Sequence, residues 1–176
     1  MKLTQSYIDS IINTALNEDI NYIDVTTDNL ILPDHTSSAY YIAKDSGVLC
    51  GIEIAKRVFE LAGGNVEFET LIHDGSEVKN GDIIAKMNGS TVTLLKGERT
   101  ALNILQHLSG IATATNKCVK LVEGTKAEDL FIIQRNLKAF VQEVCRLHLS
   151  DRFLLRSQFL AGKNLNLKLF VIARAI

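Results

Sequence analysis

A chain of 176 residues, 47% hydrophobic and 22% charged with 11 glycines and one proline, suits one compact domain with or without an appendage and excludes collagen-like, disordered and low-complexity material. A net charge of −1 gives no electrostatic ground for a nucleic-acid or membrane partner, and no apolar run of about 18 residues offers a membrane span. Three scattered cysteines, Cys50, Cys118 and Cys145, offer neither a disulfide framework nor a zinc cluster, and Met1–Gln5 lacks the pattern of a signal peptide, so a cytoplasmic chain with reduced thiols is expected.

Thr4 can cap a first helix, because Ile8, Ile11, Ile12, Ala15 and Leu16 recur at offsets of three and four and form one apolar face. The polar stretch Asn17 to Asp28 reads as a loop, with Pro33-Asp34 as a turn. Ser38 to Lys44 has the residues of a strand, ended by Asp45-Ser46-Gly47. Gly51 opens a second helix carrying Ile54, Ala55, Val58, Phe59 and Ala62, closed by Gly63-Gly64. Val66 to Ile72 alternates apolar and acidic residues, which predicts an antiparallel strand with Glu67 and Glu69 on a wet face. Two turns, His73-Asp74-Gly75 and Lys79-Asn80-Gly81-Asp82, bracket Val78, and Ile83 to Met87 reads as a strand stopped at Asn88-Gly89. Thr91 to Leu95 predicts one more strand. From Glu98 the period turns helical, with Ala101, Ile104, Leu105 and Leu108 on one face; Gly110 interrupts it and Ala112 to Val122 resumes it. Beyond, Asn136 to His148 has helical spacing and Leu165 to Leu169 alternates as a strand does.

Charge divides the chain. Residues 1–126 hold 11 Lys/Arg and 16 Asp/Glu, a balance of −5, and ten of the eleven glycines. Residues 127–176 hold 8 Lys/Arg and 4 Asp/Glu, a balance of +4.

Few residues carry chemistry on their own pattern. Arg99 would stand at the start of an apolar helix, where a cation opposes the helix dipole and an anionic partner would make sense of it; a solvated or snorkelling surface arginine is the plainer alternative. Asn103 and Gln106-His107 follow at helical spacing, where His107 reads first as a hydrogen-bonded edge residue. Glu18-Asp19 and Glu67/Glu69 could be metal ligands but read more simply as a solvated loop and a wet strand face. Asp24-Val25-Thr26-Thr27 suits a capping segment, and Gly124-Thr125-Lys126 is a weak phosphate-cradle pattern. Dinucleotide-binding, P-loop, zincin and nucleophile-elbow motifs do not occur. Residue chemistry alone thus leads to an α+β domain with a small sheet followed by a long helix, without a reaction.

A chain of short strings leads further. Ala15-Leu16-Asn17-Glu18-Asp19-Ile20, Asp24-Val25-Thr26-Thr27, Ala43 to Gly51, Asp74-Gly75-Ser76-Glu77-Val78 with Gly81-Asp82, Gly97-Glu98-Arg99-Thr100-Ala101-Leu102-Asn103, Leu108 to Thr113 and Gly124-Thr125-Lys126 occur in order. Together they resemble quinolinate phosphoribosyltransferase, also called carboxylating nicotinate-nucleotide pyrophosphorylase; Ile23 departs from the family's usual glycine. The resemblance implies a pentosyltransferase of NAD biosynthesis that joins quinolinate to phosphoribosyl pyrophosphate with magnesium, giving nicotinate mononucleotide, carbon dioxide and pyrophosphate. It implies an N-terminal α/β open sandwich with its linking helix over residues 1–112. Residues 113–176 would begin a truncated or diverged α/β barrel, with departure from the family after about residue 126. It also implies a homodimer in which Arg99 reaches the partner subunit and contacts the quinolinate carboxylates. No catalytic residue and no magnesium ligand is identified in this chain.

After Lys126 the resemblance fails: where the family places Asp-Thr-Arg-Lys, this chain has Phe131-Ile132-Ile133-Gln134, with Arg135 shifted. The chain alone is therefore expected to be inactive. A change of reading frame soon after Lys126 is one explanation and a diverged tail another. Two other functions stay open at this level. The Asp-Gly…Gly-Asp pattern at 74–85 resembles lipoyl- or biotinyl-type sandwich modules, with Lys86-Met87 as a partial modification site. A pyrophosphorylase-like protein of metal-uptake operons shares much of the N-terminal pattern.

Overall fold

The computed structural model describes residues 4–19, 27, 30–122 and 169–174. The expected Asp24 cap, the Gly124-Thr125-Lys126 string, the Asn136–His148 helix and the Phe131–Arg135 stretch lie outside them. In chain order the described elements are α1 (Gln5–Asp19), β1 (Thr36–Ala43), β2 (Gly47–Val48), α2 (Ile52–Ala62), β3 (Val66–Thr70), β4 (Glu77–Val78), β5 (Ile83–Ser90), α3 (Thr91–Val122) and β6 (Leu169–Arg174). Strands β3-β5-β1-β6 form one antiparallel sheet, and β2 pairs with β4 in a second. This is the α+β architecture expected from the sequence.

Period-two alternation decides which way the large sheet faces. Ala39, Tyr41 and Ala43 of β1 and Met87 of β5 are buried, while Glu67 and Glu69 of β3 and Asn88 of β5 are exposed. The acidic wet face read from Val66-Glu67-Phe68-Glu69 is therefore present. The buried face meets α2 and α3 around three rings, Tyr41, Phe59 and Phe68, whose centroids lie 6.0–6.4 Å apart. Each such ring pair adds about 0.5–1.5 kcal/mol beyond the area it buries. Ile12 and Leu16 bring the apolar stripe of α1 into the same core, and Arg57 of α2 clamps Asp9 of α1 with Nε and Nη2 at 2.9 and 2.8 Å. Hydrogen bonding to that guanidinium holds the Asp9 carboxyl down at about 2.

Four sequence expectations change in the structure. Asn17–Asp19 continues α1 instead of starting a loop. Asn88-Gly89 does not end β5, which runs to Ser90; a Cβ at position 89 would stand 2.1 Å from the Asn65 carbonyl oxygen, so the glycine serves close backbone approach within the sheet. Thr91–Leu95 is the first turn of α3 and not a strand. Its β-branched residues favour a strand locally, but packing outweighs that preference, and Ser90 Oγ accepts the Thr93 amide at 3.4 Å in the manner of an N-cap. Gly110 leaves α3 continuous from Thr91 to Val122. The C-terminal strand is described from Leu169, the last residue of the segment expected to be extended, and runs to Arg174.

Two turns are as expected. Lys79-Asn80-Gly81-Asp82 is closed by the Lys79 amide on Asp82 Oδ2 at 2.7 Å, and His73-Asp74-Gly75 by the Ser76 amide on the His73 carbonyl at 3.2 Å. Lys86 lies mid-strand, opposite Tyr40 and Glu69; it is not at a hairpin tip, which removes the structural basis for a lipoyl- or biotinyl-type module.

The string Leu108 to Thr113 has a structural purpose. Ser109 Oγ accepts the Cys50 amide at 3.0 Å and donates to the Cys50 carbonyl at 3.2 Å. One turn on, Thr113 Oγ1 accepts the Val48 amide at 2.9 Å and donates to the Ser109 carbonyl at 2.7 Å. Val48–Gly51 is buried and leaves β2 for α2, so its peptide groups need partners, and these hydroxyls supply part of them.

Two measurements check this packing. Ser109→Ala removes a partner from both backbone polar groups of the buried Cys50 and is expected to cost about 1–3 kcal/mol in denaturant unfolding. The Asp9 carboxyl should titrate near pH 2 by NMR and return to about 3.9 in Arg57→Met. Because its folded value is depressed, the pair's contribution is complete above the ordinary aspartate range and fades as pH falls towards 2.

Candidate functional site

The helix α3 divides its surface between core and solvent. Ala101, Ile104, Leu105 and Leu108 are buried, whereas Leu95, Arg99 and Asn103, each four residues apart, are exposed. Spacing of four residues places these three in one stripe. The helix comes close to the core beneath them because position 97 is glycine: a Cβ there would stand 2.7 Å from the Phe59 ring. Gly97-Glu98-Arg99 thus reads as contact, inward carboxylate and outward cation in successive residues.

Arg99 sits over two turns into α3, which overturns the expectation that it stands at the helix start. The helix dipole acts only within the first turn, so it gives no reason for an anion here; exposure and hydrogen-bonding geometry give the reason instead. The Arg99 side chain is 71% exposed, and Nη1 donates to Asp19 Oδ1 at 3.3 Å. An exposed pair of that length contributes about 0–1 kcal/mol. It orients the guanidinium while leaving most of its donors to solvent. A planar guanidinium can grip a further carboxylate through two parallel hydrogen bonds.

Asp19 is the last residue of α1, not part of the solvated loop that its sequence suggests. Sequence reasoning missed its meeting with Arg99 because 80 positions separate the two, and neither has a local pattern pointing to the other. The structure therefore joins two of the motif strings at one place. Asn103 follows on the same stripe, while Gln106 and His107 are partly buried and have partners of their own.

Glu98 points the opposite way. It lines a small cleft with Tyr41, Phe59 and Met87, and burial pushes its carboxyl above the usual glutamate range. Asp74, also raised by burial, accepts the Ile52 amide at 2.9 Å and so caps α2 from across the chain. Cys50 is buried, engaged through its backbone by Ser109. Neither Asp74 nor Cys50 reaches the Arg99 stripe among the described contacts.

Among the described residues no group of three or more His, Cys, Asp or Glu side chains could hold a metal ion. The magnesium implied by the resemblance thus has no fitting donor set among these residues. Likewise among the described residues, no helix is long and apolar enough to cross a membrane. What the stripe can do chemically is bind an anion.

Residues 24–109 match the family model of the quinolinate phosphoribosyl transferase N-terminal domain. A probable carboxylating nicotinate-nucleotide pyrophosphorylase of Synechocystis sp. is 39% identical over 115 residues, covering 65% of this chain and 39% of the relative. Its counterpart in Bacillus subtilis is 36% identical over 115 residues, covering 64% of this chain and 39% of its own. The crystal structure of NadC from Streptococcus pyogenes superposes with a TM-score of 0.67 at 35% identity, over 71% of this chain and 45% of that one. The chain spans about two fifths of the length of these curated relatives. Over residues 24–109 it belongs to the quinolinate phosphoribosyltransferase family, as that family's N-terminal domain.

Proposed function

We propose that this chain is the dicarboxylate-contacting half of a quinolinate phosphoribosyltransferase, contributing Arg99 to a quinolinate site completed by a second subunit. The observation that carries the reading is the outward-facing, 71% exposed guanidinium set on the longest helix of the domain by buried packing on either side of it. Among the described residues Arg99 meets Asp19 and otherwise faces solvent, which suits a residue that acts across an interface. Quinolinate carries two adjacent carboxylates, and paired hydrogen bonds from a fixed fork favour such a group. Residues 1–112 supply the sandwich and its linking helix, and residues 113–176 stand where a complete enzyme would begin its barrel, their atypical tail returning β6 to the edge of the sandwich's sheet beside β1. Phosphoribosyl pyrophosphate and its magnesium would bind in the barrel of a complete enzyme, and the dimer would form in the cytoplasm.

Catalysis of phosphoribosyl transfer needs several cations around the phosphates and acidic groups to hold metal-bound pyrophosphate. One arginine cannot provide these. The purified chain should therefore form no nicotinate mononucleotide from quinolinate and phosphoribosyl pyrophosphate; turnover would refute its incompleteness. Calorimetry with quinolinate tests the binding role. Added to a family enzyme whose own corresponding arginine is replaced, the wild-type chain should restore quinolinate affinity through mixed dimers. Arg99→Lys and Arg99→Ala should fail to do so, with losses of roughly 10-fold or more as the paired geometry is removed. Equal rescue by all three would refute the assignment of Arg99.

A further inference from the structure

The cleft between the sheet and α3 holds a polar group that packing does not account for. Tyr41 is fully buried, and its hydroxyl has no hydrogen-bond partner among the described residues. Its ring is held by Phe59 and Phe68, so the hydroxyl is not free to swing out to solvent. Leaving such a donor unsatisfied costs about 1–3 kcal/mol, and buried tyrosine hydroxyls usually have a partner.

Tyr41 lines the cleft with Ala39, Phe59, Met87, Leu94 and Glu98. Most of that wall is apolar. Its other polar members are already engaged: Thr91 Oγ1 donates to Ser37 Oγ at 2.9 Å and lies 2.7 Å from His35 Nδ1. The Tyr41 hydroxyl is thus the buried polar atom left to be matched, and the partly buried Glu98 carboxyl stands on the same wall. They are near enough to interact electrostatically without a direct hydrogen bond.

The space between them fits one kind of molecule. The cleft leaves about 40 Å³ for the centres of water-sized molecules, where a single buried water needs about 10–15 Å³ by the same measure. Anything much larger than two or three waters is excluded. We infer that the cleft is an internal water site in which one or two bound waters accept a hydrogen bond from the Tyr41 hydroxyl and donate one to the Glu98 carboxylate, tying the sheet to α3 beneath the turn that carries Arg99. A bridging water satisfies both groups at a modest entropic cost. A small organic ligand would have too little room, and a metal ion would have one carboxylate.

A crystal structure of the full chain, at a resolution where ordered waters are placed, tests this directly. A water within hydrogen-bonding distance of both Tyr41 Oη and a Glu98 carboxylate oxygen is the expected result. An empty cleft, or a direct hydrogen bond between the two side chains, would overturn it. Denaturant unfolding gives a second reading in the same chain. Tyr41→Phe should lower the folding equilibrium constant about fivefold, and by clearly less in a Glu98→Leu background, because the bridge has then already lost one end. A Tyr41→Phe chain as stable as the parent or more so would mark the hydroxyl as an orphan and contradict the water site.

Discussion

The domain depends on the way two hydroxyls on α3 satisfy a buried stretch of irregular backbone. Between β2 and α2 the chain passes through the core at Leu49–Gly51; Leu49 pairs through its backbone with Gly75 and Ser76, while the Cys50 amide and carbonyl and the Val48 amide turn to side chains of α3. A buried peptide group left unmatched costs free energy on the scale of a lost hydrogen bond. Ser109 and Thr113, one helical turn apart, take up the Cys50 and Val48 amides. That requirement sets the rotation of α3 about its axis: with Ser109 and Thr113 inward, the stripe of Leu95, Arg99 and Asn103 turns outward. The exposed cation is thus a consequence of where the buried hydroxyls must go.

Glycine fixes the distance as the hydroxyls fix the rotation. Without a side chain at Gly97, α3 lies against the Phe59 ring, and the Tyr41–Phe59–Phe68 cluster forms the common contact of helix and sheet. Phe59 in turn comes from α2, which Arg57 fastens to α1 through Asp9, and α1 ends at Asp19 beside Arg99. The string Gly97-Glu98-Arg99 therefore condenses three constraints into adjacent residues. One brings the helix close, one turns a carboxylate inward to the cleft, and one presents a guanidinium to solvent.

Much of this architecture was legible in the residues. The α1 and α2 stripes, the wet acidic face of β3 and the two Asp-Gly and Asn-Gly turns all depend on local periodicity or local backbone preference, and these survive into the fold. The errors share a physical cause. Thr91–Leu95 looks like a strand because it opens with the β-branched Thr91, Val92 and Thr93, yet the residues that follow are helical. Asn88-Gly89 looks like a turn because such residues permit one, yet the glycine answers to the Asn65 backbone arriving from another strand. At the site, Arg99 could be singled out from the sequence, but for a reason, its place at a helix start, that the structure removes. Asp19 and the Ser109–Cys50 contact could not be found by any local rule, because each joins residues tens of positions apart.

Amide hydrogen exchange at Cys50 and Val48 is the most direct test of whether the buried hydroxyls govern the placement of α3. If they do, both amides exchange only with global unfolding and show protection equal to that of the α3 core around Leu105. Exchange at the rate of a surface loop, with α3 itself still protected, would show that the helix takes its position without them and would contradict the central role given to Ser109 and Thr113.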